Sequence, residues 1–326
     1  MPATPVAVEL RRGATVESRH RVAACVVEVG GRVVARIGEV DVSVFPRSSL
    51  KPFQALPLVE TGAADALGVS DEELALACAS HGGEPMHTTR VGAWLGRLGL
   101  GVDDLECGAH APSHAPSAEA LRASGEPVTA LHNNCSGKHT GMLATARHLG
   151  EPTRGYLAAD HPVQRRIRAT LEELAGERLG EPGIDGCGVP NWPMRLVTFA
   201  RLAAASLARG ASAARIRRAM RAHPDLVAGT GRLCTDLMRV VPDVVAKTGA
   251  EGVFVALLPS RGLALALKVE DGAGRGAEVA LLALLQRLVP DPAPLAGLER
   301  YARPVVRNVA GAVVGEIVPA AGWPRL

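Results

Sequence analysis

The stretch Val22-Ala23-Ala24-Cys25-Val26-Val27-Glu28-Val29-Gly30-Gly31-Arg32-Val33-Val34-Ala35-Arg36-Ile37 carries the strongest fold signal in the chain. Val22–Val29 and Arg32–Ile37 are β-prone runs, and the glycine pair between them accepts the positive φ that a two-residue hairpin turn demands. Towards the other end, Gly252–Leu258 and Leu263–Val269 flank Pro259-Ser260-Arg261-Gly262 and read as a second hairpin. The middle reads as helices. Asp71–Ala79 follows Ser70 as cap and has acids in its first turn, and Pro162–Ala175 carries Ile167, Leu171 and Leu174 on one face. Arg195–Leu207, Ala211–Ala222 and Ala277–Leu288 add helical periodicity, whereas the stretch around His110–Pro116 reads as a loop. Strands at both ends of a helical middle predict an α/β fold as a single domain over 1–326, its mainly antiparallel sheet built from N- and C-terminal hairpins and flanked by helices.

The 326 residues are 47% apolar and 21% charged, enough to bury a large core. A formal charge of +3 and 3% aromatics argue against nucleic acid as a partner, which needs a basic field or stacking platforms. The arginine-rich stretches Arg165–Arg168 and Arg215–Arg221 lie in helical patterns and read as solvated faces. No apolar run is long enough to span a bilayer, and Met1–Arg12 lacks the apolar segment of an export signal, so a soluble, cytoplasmic protein is expected. The six cysteines lack the regular spacing of a disulfide framework, which leaves reduced thiols or metal ligands.

Among 36 basic residues only Lys51, Lys138, Lys247 and Lys268 are lysines; the other 32 are arginines. Arginine supplies a permanent cation, so a lysine kept in such a chain points to positions where an amine must be able to lose its proton. Ser48-Ser49-Leu50-Lys51 is an S-x-x-K pattern whose spacing puts both side chains one helical turn apart. A lysine can take the proton of a serine and make it a nucleophile. Pro52 places Ser48 at a helix start, where backbone amides stabilise an oxyanion; the alternative is a surface pair. Cys135 and Lys138 also stand three apart, in His132-Asn133-Asn134-Cys135-Ser136-Gly137-Lys138-His139, a segment rich in turn formers. With Cys187 of Asp185-Gly186-Cys187 they would offer a metal two sulfurs and a nitrogen, with His132 or His139 as the more conventional nitrogen and two buried structural thiols as the other reading. Ser80-His81 precedes a glycine pair and is otherwise a helix exit, while Pro112 between His110 and His114 removes the helix a metal pair would need. Lys247-Thr248-Gly249 resembles the K-T-G strand of penicillin-recognising serine enzymes, without the S-D-N element. Alternation puts Lys268 beside Ala264 and Ala266, either lining a cleft or exposed on an edge strand.

In combination these motifs resemble the rhizobial-type L-asparaginase family, from about Val22 to Ala277. The resemblance implies a fold like serine β-lactamases and glutaminases, and hydrolysis of L-asparagine to aspartate and ammonia through an acyl-enzyme. It implies a homodimer with two serine–lysine pairs, Ser48 with Lys51 and Ser80 with Lys268. It also implies zinc on Cys135, Lys138 and Cys187, with Arg47, His81, Asn134, His139 and Asp185 around the substrate. The competing expectations are a β-lactamase-, peptidase- or glutaminase-like serine amidase acting on another amide, and a non-catalytic module that binds a metal or an amino acid. Lys247 is left without a role.

Overall fold

The computed structural model describes residues 3–324. Where the sequence predicts one domain, chain contacts group the residues into two compact units. The first gathers the chain up to Ser49, Met194–Ala208 and the chain from Asp236; the second is Leu50–Pro193 with Arg209–Thr235.

The first unit is an α/β assembly around an antiparallel sheet of β1 (Val6–Arg12), β2 (Thr15–Glu28), β3 (Val33–Ile37), β4 (Val245–Gly249), β5 (Val253–Leu258), β6 (Leu263–Val269), β7 (Val305–Arg307) and β8 (Val313–Pro319). The strand order is β7-β8-β1-β2-β6-β5-β4, and β3 also pairs with β2. Both predicted hairpins are present. The first is longer than the hydrophobic pattern shows, because β2 is two strands' worth of chain: Thr15–Arg21 pairs with β1, and Val22–Glu28 is the buried half that pairs with β6. Its polar half lacks the apolar run that marks Val22–Val29. Helix Leu196–Leu207 packs on β6 and β2, and helix Gly274–Leu288 packs on β1, β6 and β8. Lys268 stands opposite Ala23 on one side and Val253 on the other, so the edge-strand reading is corrected: β6 is an interior strand.

The second unit is helical. Helix Asp71–Ala77 starts on a reciprocal cap in which Ser70 Oγ accepts the Glu73 N–H (3.2 Å) and Glu73 accepts the Ser70 N–H (3.0 Å); such a cap contributes about 1 kcal/mol. Pro162–Ala175 and Ala211–Ala222 form where the periodicity puts them. The loop around His110–Pro116 ends at His114, because Pro116 sits in the first turn of helix Ala115–Ser124, where a missing N–H does no harm.

At the centre lies helix Ser136–His148, buried from Ser136 to Ala146. A helix buried all round shows no amphipathic period, which is why its first turn reads as a polar loop. Its readable feature is Gly137 and Gly141, four residues apart and thus on one face. A Cβ at Gly137 would lie 2.5 Å from the Leu76 carbonyl oxygen, and one at Gly141 would lie 3.2 Å from Ala77 Cβ. The absent side chains let this helix press against Asp71–Ala77, and that contact sets the position of Lys138. Among the described residues no helix is long and apolar enough to cross a membrane.

Gly137→Ala therefore forces backbone apart and is expected to lower stability by about 1–3 kcal/mol. Gly141→Ala, which meets side-chain atoms of Ala77, Leu58 and Trp94 at 3.2–3.6 Å and no backbone, lowers it less. Urea unfolding midpoints of both variants check the order, and equal stability of Gly137→Ala and wild type would contradict the close packing.

Candidate active site

Within the first unit, Pro46–Ser49 makes a tight turn. The Pro46 carbonyl accepts the Ser49 N–H (3.2 Å) and also the Ser49 hydroxyl. Arg47 sits at φ 54°, a left-handed conformation uncommon for any residue with a side chain. Ser48 follows, half-buried, in the 3-10 turn Arg47–Leu50, and the α-helix begins only at Lys51. The helix start expected at Ser48 is thus a tighter turn, with backbone strain of the kind that gathers at functional sites. Lys268, half-buried on β6, donates to the Glu251 carbonyl (2.8 Å) and to that of Val269.

In the second unit Lys51 is 2% exposed. Its Nζ donates to the Ala79 carbonyl, to Ser80 Oγ (2.9 Å) and to Cys135 Sγ (3.1 Å), a set with no carboxylate in it. Ser80 is held in turn by its N–H on the Val227 carbonyl (2.9 Å). The hydroxyl that the resemblance pairs with Lys268 is therefore in hydrogen-bond contact with Lys51.

Cys135, Lys138 and Cys187 come together beside it. Lys138 Nζ donates to Cys187 Sγ at 3.0 Å. A hydrogen bond from Cys135 holds the Cys187 thiol well below the usual range; burial opposes this, and the Lys138 ammonium assists. The same bond, with burial, pushes Cys135 up. For Lys138 burial disfavours the charge, but the two sulfurs outweigh it and keep the amine above its ordinary value. The arrangement favours a thiolate at Cys187 beside the Lys138 ammonium.

His139 completes the basin, with burial lowering its pKa to about 4. Its Nδ1 meets the Tyr156 hydroxyl at 2.8 Å, and that hydroxyl already accepts the Glu106 N–H. Tyr156 thus bridges the Glu106 backbone and the His139 ring. Nε2 is buried without a hydrogen-bond partner among the described residues. It stands near enough to Cys187 to favour the thiolate without completing a bond of normal geometry. Two sulfurs, and the Lys138 amine once it has given up its proton, suit a soft divalent cation. Among the described residues no three His, Cys, Asp or Glu side chains form a metal cluster.

The other expected substrate residues differ in what they have free. His81 is fully buried and uses both ring nitrogens inside the protein: Nε2 donates to Ser136 Oγ (2.9 Å), whose own proton goes to the Leu131 carbonyl, and Nδ1 accepts the Gly83 N–H. Asn134 is half-buried, and its Oδ1 lies 3.1 Å from Cys135 Sγ. Asp185 is half-buried, accepts the Gly186 N–H at 2.6 Å and acts electrostatically on Lys138. Arg47 is half-buried and belongs to the strained turn itself.

Sequence reasoning missed Tyr156, whose signal lies only in its distant partner, and Glu84. The buried Glu84 carboxylate accepts the Thr230 N–H (2.9 Å) and hydroxyl (2.6 Å), tying the Ser80–Glu84 loop to Gly229–Thr230. A Cβ at Gly229, where φ is +101°, would meet Glu84 Oε1 at 2.5 Å. The available signal was an acid just before Pro85, at a helix start. Behind this loop the His81 and His87 rings stack 4.6 Å apart. His87 is also neutral by its partners, accepting the Glu84 N–H and donating to the Asp225 carbonyl.

A family model described as L-asparaginase II matches residues 8–319. Among solved structures the chain is similar to Mglu in its native form, at 15% identity over 82% of this chain and 65% of that one, with a TM-score of 0.47. It is similar to Mglu in its glutamate form at 14% identity over 84% and 63%, TM-score 0.45. A beta-lactamase from Mycobacterium bovis matches at 14% identity over 86% and 95%, TM-score 0.38. The chain thus spans less than two thirds of the length of either Mglu structure. No curated protein matches.

Burial lowers His81 well below the ordinary value of 6.5 and lowers His87 in the same direction. Their contribution to stability is complete above that value and is lost as pH falls through it towards the folded-state values, at up to about 1.4 kcal/mol per pH unit per proton. His87→Gln, which keeps an acceptor and a donor but does not titrate, is expected to give a shallower loss of urea midpoint between about pH 7.5 and pH 5. An unchanged slope would contradict the assignment.

Proposed function

The chain belongs to the L-asparaginase II family, and from that premise we propose that it hydrolyses the side-chain amide of L-asparagine to L-aspartate and ammonia. The observation that carries the reading is the setting of Lys51: a buried nitrogen in hydrogen-bond contact with a hydroxyl, a sulfur and a carbonyl.

Ser48 is the nucleophile. As its Oγ bonds to the amide carbon, Lys51 in its amine form takes the hydroxyl proton, and backbone amides of the Ser48 turn stabilise the oxyanion. Lys51 returns that proton to the leaving nitrogen as the C–N bond breaks, giving ammonia and an aspartyl ester. Water then attacks the ester, with Lys51 accepting its proton and passing it to Ser48. Arg47, Asn134, His139 and Asp185 orient the substrate, whereas His81 has both ring nitrogens engaged inside the protein, on Ser136 and the Gly83 N–H. Lys268 enters through the family resemblance, as partner of Ser80 in a second pair. The 2.9 Å contact of Lys51 with Ser80 favours a second assignment, in which Ser80 is the hydroxyl that Lys51 deprotonates or relays through.

Cys135, Lys138 and Cys187 would hold zinc, which when bound supplies a fixed positive charge that orders polar groups around the substrate. The proposal includes a homodimer, from the resemblance, and a cytoplasmic location, supported by six free thiols.

Ammonia release from L-asparagine, compared with L-glutamine and a chromogenic β-lactam, tests the substrate class. Ser48→Ala is expected to lose at least about a thousandfold in kcat. Lys51→Arg loses as much despite keeping its charge, because arginine does not release its proton. Near-normal turnover in either variant would end the serine–lysine mechanism; loss only in Ser80→Ala would transfer it to Ser80. For the metal, elemental analysis is expected to give about one zinc per chain and far less in Cys187→Ser. A metal-free active wild type would remove zinc from the proposal.

A further inference from the structure

Within the first unit, β4 carries the one lysine without a role in the proposed reaction. Gly249 on β4 stands opposite Val253 on β5, and Val253 stands opposite Lys268 on β6. Lys247, two residues before Gly249, shares their face of the sheet. Lys247 is 1% exposed, and its ammonium donates to the Thr248 carbonyl at 2.9 Å, while the Thr248 hydroxyl donates to the Gly249 carbonyl at 3.3 Å. These bonds order the end of the strand at Gly249.

A Cβ at Gly249 would lie 2.6 Å from the Pro46 carbonyl oxygen and 3.3 Å from both Ser49 N and Ser49 Oγ. The Pro46–Ser49 turn therefore rests on the bare backbone of β4. Pro46 O is also the atom that accepts the Ser49 N–H and hydroxyl, so the oxygen that closes the turn is the one pressed against Gly249. Arg47 keeps its left-handed conformation, φ 54°, inside that clamp.

We infer that Gly249 is a positioning residue for Ser48: the absent side chain on β4 seats the strained turn and sets where the Ser48 hydroxyl points. The inference rests on Ser48 as nucleophile. The 2.6 Å contact is to backbone, so a methyl group at Gly249 displaces the turn instead of turning a flexible side chain aside. A misplacement of about 1 Å in a reacting group lowers rate by up to roughly a hundredfold.

The test compares Gly249→Ala with Gly315→Ala. Gly315 on β8 is an equally crowded strand glycine, its Cβ 2.5 Å from the Arg11 carbonyl oxygen, far along the strand order from β4. Both variants are expected to lower the urea midpoint. Only Gly249→Ala is expected to lower kcat on L-asparagine, by about tenfold to a hundredfold with KM within about twofold, while Gly315→Ala keeps wild-type kcat. Should Gly249→Ala not fold, Ser49→Ala, which removes the hydroxyl from the clamp, reads the same dependence as a fall in kcat. Wild-type kcat in the folded variants, or an equal fall in Gly315→Ala, overturns the positioning role while an inactive Ser48→Ala leaves the nucleophile standing. An active Ser48→Ala overturns both.

Discussion

The structure of the second unit turns on one nitrogen. Lys51 Nζ gathers the Ala79 carbonyl, the Ser80 hydroxyl and the Cys135 sulfur, which belong to segments 28, 29 and 84 residues away along the chain. Burying an amine demands that its donors be satisfied, since an unmade bond in a dry interior costs several times what a made one contributes. That demand fixes the first helical turn after Ser48, the exit from helix Asp71–Ala77 and the N-terminus of helix Ser136–His148 relative to one another. Displacing any one of them leaves a buried donor without its acceptor.

The same economy of partners explains the neighbouring basin. The neighbouring Cys135 and the Lys138 ammonium favour the thiolate of Cys187, and the two sulfurs outweigh the burial that disfavours the charge on Lys138. Tyr156 holds the His139 ring through Nδ1, and Nε2 is left buried without a hydrogen-bond partner among the described residues. Glycines bring these groups into range: Gly137 lets the central helix reach Leu76, and Gly229 leaves room for the Glu84 carboxylate. In the first unit the Ser48 turn is held by a different device, a bifurcated carbonyl against the bare backbone of a strand.

Much of this was legible in the residues. The glycine pair at Gly30-Gly31 and the apolar runs around it mark the first hairpin, and Ser70 with its following acids marks a helix start that forms as a reciprocal cap. Splitting lysine from arginine singles out Lys51, Lys138, Lys247 and Lys268, and the structure buries the first three. What was not legible has physical causes. Thr15–Arg21 is a strand with a polar surface, so hydrophobic runs do not reveal it. Helix Ser136–His148 is buried on every side and shows no period. The partnering of Lys51 with Ser80, and of Glu84 with Thr230, is set by tertiary contacts between segments that carry no mutual spacing signal.

The central claim is that Lys51 serves a serine that becomes covalently acylated, and that the serine is Ser48. Acid quench of the enzyme during turnover of L-asparagine, followed by peptide mass spectrometry, tests it most directly. The account predicts an aspartyl ester on the peptide carrying Ser48, absent in Ser48→Ala. An ester on Ser80 in its place, or steady turnover with no ester on any serine under quench conditions that preserve one, would contradict it.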